Sequence, residues 1–137
     1  MYNKRREGQQ KELVATEYLK NKGYFIIQTN FRVRQGEIDI IARDGETIVF
    51  VEVKYRKDLS SGNPLEAVNY AKQRKICRTA LFYMNLNKIS PDNTPIRFDV
   101  IGILGEEITH IVNAFDFVGW KYDKKKISYN SNGDGNA

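Results

Sequence analysis

Cysteine and histidine are scarce in this chain, since its 137 residues contain one of each, Cys77 and His110. A single cysteine excludes a disulfide within the chain, and the simple expectation is a reducing, cytoplasmic location. One cysteine and one histidine also exclude the Cys/His cluster of a zinc site. Neither residue has a catalytic partner at suitable spacing, so both are predicted to be structural.

Long hydrophobic runs are absent as well, and no apolar stretch approaches the roughly 20 residues of a membrane span. The polar segment Met1–Glu7 is followed by further polar residues, which is not the pattern of a secretory signal. The sequence also has no internal repeat, no glycine-rich phosphate loop and no Ser/His/Asp set. We therefore expect no membrane partner and no nucleotide-binding loop of a familiar kind.

Positive charge exceeds negative charge, with a net charge of +5 and a pI near 9.3. This excess favours a polyanionic partner, above all nucleic acid. The length predicts one domain. We place it at residues 1–120, closed by the aromatic residues Phe115, Phe117 and Trp120, and expect a disordered tail, basic and then polar, over residues 121–137.

Hydrophobic periodicity predicts a mixed α/β domain in the order α-β-β-β-α-β-β, with one mixed central sheet flanked by helices. The first helix carries an apolar arc of Val14, Ala15, Tyr18 and Leu19 and ends at Gly23. The second is expected to begin at an Asn63 N-cap. The expected ranges are about 5–22 and 64–86 for helices, and about 24–30, 37–43, 47–55, 96–104 and 107–113 for strands, with a basic linker at 31–36.

The segment Gly36–Lys54 concentrates the chemistry of the chain. Asp44-Gly45 is a strong signal for the centre of a two-residue hairpin turn, which would pair Asp39 with Phe50. Alternation then puts one set of side chains on a polar face and another on a core face. The polar set is Glu37, Asp39, Phe50, Glu52 and Lys54, and the core set is Ile38, Ile40, Ala42, Val49, Val51 and Val53.

Crowded carboxylates on one strand pair repel each other, by up to roughly 1 kcal/mol for directly opposed charges. A divalent cation would reverse that cost, and Mg²⁺ typically takes one or two carboxylates together with several waters. Lys54 would stand beside the site, where it can orient or deprotonate a water or neutralise a phosphate. The alternative is a structural ion pair of Lys54 with Glu52 or Asp39, and the strand pattern alone favours neither.

Glu12 is a further acidic candidate, at the margin of the first helix's apolar arc and close to the direction of Leu19. From there its carboxylate can reach over the edge of a sheet, whereas Glu17 lies on the solvent side. The alternative is an ordinary exposed helix acid.

Several basic or polar residues flank these acids and are candidates for nucleic-acid contact. Arg32 and Arg34 lie in the expected linker, and surface charge explains them equally well. A charge run on a helix is most often simply solvated. The candidates are Arg32, Arg34, Arg56, Lys72, Gln73 and Lys75. Asp99 is predicted to pair structurally with Arg97 or another base.

Asp39 followed by Glu52-Val53-Lys54 resembles the Asp…(Asp/Glu)-x-Lys signature of the PD-(D/E)XK nuclease superfamily. The wider run, from Asn30-Phe31-Arg32 through Gly36-Glu37-Ile38-Asp39 to Tyr55-Arg56, is similar to the small bacterial YraN-like family, whose fold is akin to archaeal Holliday-junction resolvases. The likeness continues at Arg97–Val100 and spans roughly residues 8–115. The family usually has glycine just before the helical Glu, where this chain has Lys11.

The resemblance implies a restriction-endonuclease-like fold and roles for particular residues. Asp39, Glu52 and Glu12 would bind Mg²⁺ or Mn²⁺, Lys54 would assist the attacking water, and Glu37 would be a supplementary acid. The implied activity is metal-dependent hydrolysis of DNA phosphodiester bonds, in branched or otherwise structured DNA, with a homodimer as one possible assembly. The alternatives are a non-catalytic nucleic-acid-binding module with the same fold, and a protein-interaction domain whose acidic face docks a basic partner.

Overall fold

The computed structural model describes residues 4–117, apart from the side chains of residues 4, 61, 66 and 67. Trp120 and the tail predicted over residues 121–137 lie outside the described residues. The elements are α1 (Lys4–Asn21), β1 (Phe25–Val33), β2 (Gly36–Asp44), β3 (Thr47–Arg56), short 3-10 turns at Leu59–Ser61 and Pro64–Ala67, α2 (Tyr70–Leu86), β4 (Ile96–Leu104) and β5 (Glu107–Phe115).

The five strands form one mixed sheet in the order β1-β2-β3-β4-β5. All neighbours are antiparallel except β3 and β4, which are parallel and connected through α2. A parallel pair requires such a crossover, and it carries α2 across one face of the sheet. The predicted element order and α/β class are confirmed. None of the helices within residues 4–117 has the length and apolar character to cross a membrane.

Each face of the sheet is covered by one helix, so the protein has two apolar layers. On one face, Ile76, Ala80 and Met84 of α2 pack against Phe50 and other strand residues, forming the α2-side cluster. On the other face, Ala15 and Leu19 of α1 pack against strand residues that include Val49 and Val51, forming the α1-side cluster. The central strands are therefore buried on both faces, which explains their almost continuous apolar sequence.

The predicted polar face of the β2–β3 hairpin is wrong for this reason. Phe50 is buried in the α2-side cluster, and Ile38 belongs there too, not with Ile40 on the other face. The acidic residues gather at one end of the strands instead of along one face. A strand covered by helices on both sides has no solvated face on which to display them.

The register of the β2–β3 hairpin also differs from the prediction, by two residues. Asp44 pairs with Thr47 and Ile40 with Val51, and the turn residues are Gly45 and Glu46. Positive φ is required only at Gly45, at 63°. An even shift keeps every side chain on its face, but it brings Asp39 level with Glu52 instead of Phe50.

The end of β1 and the buried side of α1 also differ from the predicted ones. β1 continues to Val33, so the expected basic linker shrinks to the turn at Arg34 and Gln35, and Arg32 is a strand residue. In α1, Val14 is 41% exposed, and Thr16 lies buried beside Ala15 and Leu19.

The start of α2 is the boundary with the largest consequence. Asn69, not Asn63, is its N-cap and accepts a hydrogen bond from the Lys72 N–H at 2.9 Å. Asn63 instead accepts the Leu65 N–H at the preceding 3-10 turn. Lys72 therefore lies in the first turn of α2 instead of its middle.

Asp99 is the centre of a buried polar network between β4 and β5. Its carboxylate accepts bonds from Arg97 Nε and the Asn113 N–H, both at 2.9 Å, and lies 2.7 Å from His110 Nε2. Asn113 has φ of 56°, and the strand register shifts beside Asp99, which frees that N–H from the ladder. The predicted pairing with Arg97 is confirmed, and His110 belongs to the same network.

Gly36 allows α2 to approach the β1–β2 turn closely. A Cβ at this position would stand 2.7 Å from Thr79 Oγ1, which is buried and donates to the Lys75 carbonyl. We expect Gly36→Ala to lower the free energy of unfolding by about 1–3 kcal/mol, as overpacking typically does. Urea unfolding measures this.

Gly8 provides a matched control for that substitution. It lies within α1, and among the described residues no atom outside the helix backbone would come within 4 Å of a Cβ added there. Gly8→Ala is therefore expected to raise stability by about 0.5–1 kcal/mol through helix propensity. Effects of the same sign at Gly36 and Gly8 would contradict the steric argument.

Candidate functional site

Asp39 and Glu52 lie side by side where β2 and β3 separate. The last residues paired between these strands are Ile40 and Val51, and Asp39 and Glu52 are the next residue on each strand. Beyond that point the Val53 N–H donates to Asp39 Oδ2 at 2.7 Å. The Asp39 carboxylate thus replaces a backbone carbonyl of the neighbouring strand as the acceptor for the Val53 N–H. This bond fixes the carboxylate at the point where β2 and β3 separate.

The irregularity at Asp39 extends into β1. Asn30, which stands opposite Asp39 in the β1–β2 register, has φ of 54°, a left-handed conformation that asparagine tolerates. Ile38 and Ile40 consequently point to opposite sides of the sheet although they are two residues apart. The local break in alternation is what releases Asp39 from the packed layers.

Asp39 is surrounded by negative charge. Burial raises the pKa of its carboxyl to about 8, and the charge of Glu52 contributes next. The Val53 N–H lowers the pKa, while the charges of Glu12 and Glu37 raise it further. Within the described residues no lysine or arginine forms an ion pair with Asp39.

Glu52 has the opposite surroundings. Its side chain is 5% exposed, and Oε2 lies 3.1 Å from Lys54 Nζ and 3.5 Å from Lys72 Nζ. The ion pair of Lys54 with Glu52, the structural alternative for the motif, is therefore present. The two adjacent carboxylates therefore differ in their ion pairs: within residues 4–117, Glu52 pairs with two cations and Asp39 with none.

Glu12 is half-buried on α1 and lines the same cleft as Asp39. Burial raises the pKa of Glu12, a hydrogen bond with Asn30 and the charge of Arg32 lower it, and the charges of Glu37 and Glu52 raise it. Glu17 is exposed and pairs with Lys20. The angular distinction between the two helix acids agrees with these positions.

Two clefts adjoin the acids. The main cleft, about 890 Å³, contains Asp39 and Glu12, and its cations are Arg5, Lys11, Arg32, Lys54, Arg56 and Lys57. The side cleft, about 290 Å³, lies between α2 and the β1–β2 turn and includes Arg32, Gly36, Glu37, Lys72, Lys75 and Ile76. Arg32 and Glu37 line both clefts and form an ion pair at 3.3 Å, so this pair stands at the border.

The remaining candidates for nucleic-acid contact are scattered. Arg34 is exposed in the β1–β2 turn, and Lys75 is exposed on the side cleft. Gln73 donates to the Val68 carbonyl at 3.2 Å. Arg56 lines the main cleft, and its buried Nε has no hydrogen-bond partner among the described residues.

Comparison with known proteins gives the family. The family model described as "Uncharacterised protein family UPF0102" matches residues 11–103, more than half of the chain. The chain belongs to the UPF0102 family. This confirms the YraN-like membership that the motifs indicate, while the kinship with PD-(D/E)XK nucleases stays a prediction.

Individual UPF0102 proteins are similar over most of their length. One from Lachnoclostridium phytofermentans is 50% identical over 117 residues, covering 85% of this chain and 98% of the relative. One from Thermodesulfovibrio yellowstonii is 48% identical, covering 79% and 94%. One from Clostridioides difficile is 45% identical, covering 82% and 99%. The acidic site lies inside the region that the UPF0102 model matches.

The oxygen donors of this UPF0102 chain fit a hard divalent cation. Asp39 and Glu52 offer two carboxylates, and Mg²⁺ commonly takes one or two from protein. Burial, and after it the charge of Glu52, raises the pKa of Asp39. Among the described residues, no group of three or more His, Cys, Asp and Glu side chains has the arrangement of a metal site. Further ligands would therefore be waters or substrate oxygens, with Glu12 acting through water.

Asn30 is the site residue that sequence reasoning missed. Its side chain holds Glu12 and also accepts from Arg32 Nη2 at 3.5 Å, so it connects α1 to the border of the two clefts. The sequence places Asn30 in the Asn30-Phe31-Arg32 run, but it gives no signal for the left-handed backbone of this residue.

Proposed function

We propose that this protein is a metal-dependent endonuclease that hydrolyses phosphodiester bonds of DNA. The observation that supports this most is the pair Asp39 and Glu52, two adjoining carboxylates at the end of split strands, of which Asp39 pairs with no cation of the described residues. A structural role would favour pairing both acids, since an unpaired partly buried carboxylate costs free energy. The cost is explained if a divalent cation binds there in the working protein.

In this proposal Asp39 and Glu52 hold Mg²⁺ or Mn²⁺, and Glu12 supports the site through a bound water. The chemistry that such an ion supplies is polarisation of a phosphate oxygen and activation of a water for in-line attack. The Val53 N–H keeps Asp39 oriented toward the cleft, as its 2.7 Å bond indicates. Lys54 neutralises negative charge that develops on the phosphate during attack.

The surroundings suit a polyanionic substrate. The main cleft is open and borders six cations, and the chain has a net charge of +5. A nucleic-acid backbone is recognised mainly by such arginine and lysine contacts. Arg56 lines this cleft and is the first candidate for a phosphate contact.

Cleavage assays on labelled duplex, flap and four-way DNA with Mg²⁺ or Mn²⁺ test the proposal. Wild type is expected to cleave at least one substrate, and both Asp39→Ala and Glu52→Ala are expected to reduce cleavage to background. Glu17→Ala is the matched control, because Glu17 is an exposed acid on α1, and it is expected to retain activity. Equal cleavage by wild type and the two site variants would refute the catalytic assignment.

A non-catalytic nucleic-acid-binding module is the second candidate. The two lysines on Glu52 favour it, because they already satisfy that carboxylate without a metal. It predicts salt-sensitive DNA binding that survives Asp39→Ala and is not strengthened by divalent cations. Measuring DNA affinity with and without Mg²⁺ separates the two candidates.

A further inference from the structure

A single oxygen of Glu52 is shared by lysines from two different elements. Lys54 approaches Oε2 from the same strand at 3.1 Å, and Lys72 approaches it from α2 at 3.5 Å. Glu52 is almost fully buried, so water replaces these contacts poorly. Any divalent cation that binds Glu52 must therefore compete with at least one of the two lysines.

Lys72 is the lysine that is more easily displaced. Lys54 lies two residues from Glu52 on the same strand and makes the shorter contact, at 3.1 Å. Lys72 makes the longer contact, at 3.5 Å, and its side chain is 29% exposed, compared with 24% for Lys54. Lys72 also lies in the first turn of α2, where the helix dipole disfavours a positive charge. A neighbouring anion offsets that cost, and Glu52 supplies one.

A second anionic neighbour has a place to bind beside Lys72. Lys72 lines the side cleft together with Arg32 and Lys75, so three cations surround a space of about 290 Å³. That space accommodates a phosphate group. Among the described residues, the only acid lining it is Glu37, which is paired with Arg32.

We propose that Lys72 moves between these two anions. While it is bound to Glu52, it opposes the entry of a divalent cation at Asp39 and Glu52. When such a cation binds, Lys72 is released and contacts a nucleic-acid phosphate in the side cleft with Arg32 and Lys75. This inference rests on the proposed function, and it adds that metal and nucleic acid favour each other's binding through one side chain.

Thermodynamic linkage between metal binding and DNA binding makes the proposal quantitative. If metal binding frees Lys72 for phosphate, the factor by which metal raises DNA affinity must equal the factor by which DNA raises metal affinity. Removing the Lys72 amine should tighten metal binding in the absence of DNA. It should also reduce the coupling factor.

Calorimetric titration of Mn²⁺ into the full chain without DNA tests the first consequence. Lys72→Met is expected to bind Mn²⁺ roughly 5- to 10-fold more tightly than wild type, which is within the usual range for coupled sites. Arg78→Met is the matched control, since Arg78 is an exposed cation on the same helix but lines neither cleft. Lys72→Arg keeps a cation and is expected to remain close to wild type.

A short labelled phosphorothioate duplex tests the second consequence by fluorescence anisotropy with and without Mn²⁺. Mn²⁺ is expected to raise the duplex affinity of wild type and Arg78→Met, and to raise that of Lys72→Met by a clearly smaller factor. Circular dichroism confirms that each variant is folded, and Lys72→Gln replaces Lys72→Met if the latter is not.

The possible results separate this inference from the proposed function. If wild type binds Mn²⁺ and cleaves DNA but Lys72→Met binds Mn²⁺ no more tightly than Arg78→Met, the coupling is wrong and the nuclease proposal stands. If no form of the chain binds Mn²⁺, the metal site of the proposed function is wrong and the coupling is overturned with it. Tighter Mn²⁺ binding without cleavage would support the coupling and contradict the enzyme.

Discussion

Replacing Asp99 with alanine is expected to lower the free energy of unfolding by about 3–5 kcal/mol, the usual cost of removing one partner from a buried charge pair. The carboxylate is fully buried, and its loss leaves the Arg97 guanidinium, which is 17% exposed, without its nearest carboxylate. It also leaves the Asn113 N–H and His110 Nε2 without theirs. Urea unfolding followed by circular dichroism at neutral pH measures the loss.

Asp44 supplies a control that involves the same arginine. Its carboxylate lies 3.1 Å from Arg97 Nη1, but its side chain is 47% exposed. Solvent-exposed ion pairs contribute about 0–1 kcal/mol, so Asp44→Ala should have a small effect. Similar losses for Asp44→Ala and Asp99→Ala would show that burial is not what makes the network important.

The pH dependence of the Asp99 effect has a definite sign. Burial by itself would raise the pKa of Asp99, but bonds from Arg97, Asn113 and His110 outweigh it and lower the pKa below its ordinary value of 3.8. The unfolded carboxyl therefore takes up a proton before the folded one does. The stabilisation is present above pH 3.8 and is lost as the pH falls further. The difference between wild type and Asp99→Ala should shrink in that acidic range.

Element order and several boundaries could be predicted because they depend on local signals. The turn at Gly105 and Glu106 and the flanking apolar runs fix β4 and the start of β5. The register of the β2–β3 hairpin could not be predicted in this way. Turns centred on Asp44-Gly45 and on Gly45-Glu46 both place a glycine where positive φ is needed, and they give the same side-chain faces.

The acids of the candidate site could be proposed from motif and periodicity, but their surroundings could not. The contact of Lys72 with Glu52 depends on where α2 begins and on how α2 packs against the sheet. The sequence around Asn63 resembles a helix N-cap and therefore predicts the wrong start for α2. The role of Asn30 depends on a left-handed backbone that the sequence permits without requiring. Long-range packing decides both features, and a single sequence does not contain it explicitly.

Asp39 and Asp99 occupy similar positions and are expected to affect stability in opposite ways. Each accepts a backbone N–H that an irregularity in the sheet has freed, from Val53 and Asn113 respectively. Asp99 has Arg97 and His110 as partners, whereas Asp39 has acidic neighbours. Charge is therefore favourable at Asp99 and unfavourable at Asp39 in the metal-free protein.

Asp39→Asn is accordingly expected to be more stable than wild type, by an amount that grows with pH. The folded carboxyl of Asp39 has its pKa raised from 3.8 to about 8 by burial and by Glu52. Between these values the unfolded carboxyl is ionised while the folded one keeps its proton, so wild type loses stability as the pH rises, by up to about 1.4 kcal/mol per pH unit. Asparagine has no such proton to lose and can still accept the Val53 N–H.

Urea unfolding of wild type and Asp39→Asn at intervals from about pH 5 to about pH 8 measures the difference between them. Contributions from groups that do not interact with Asp39 are common to both proteins and cancel. Glu17→Gln should show no comparable trend, because Glu17 is exposed. A constant difference across the range would contradict the electrostatic account of Asp39.

Added Mg²⁺ should stabilise wild type more than Asp39→Asn at the alkaline end of the range. A cation that binds only the folded state raises stability by mass action, and the variant has lost one of the two carboxylates that would bind it.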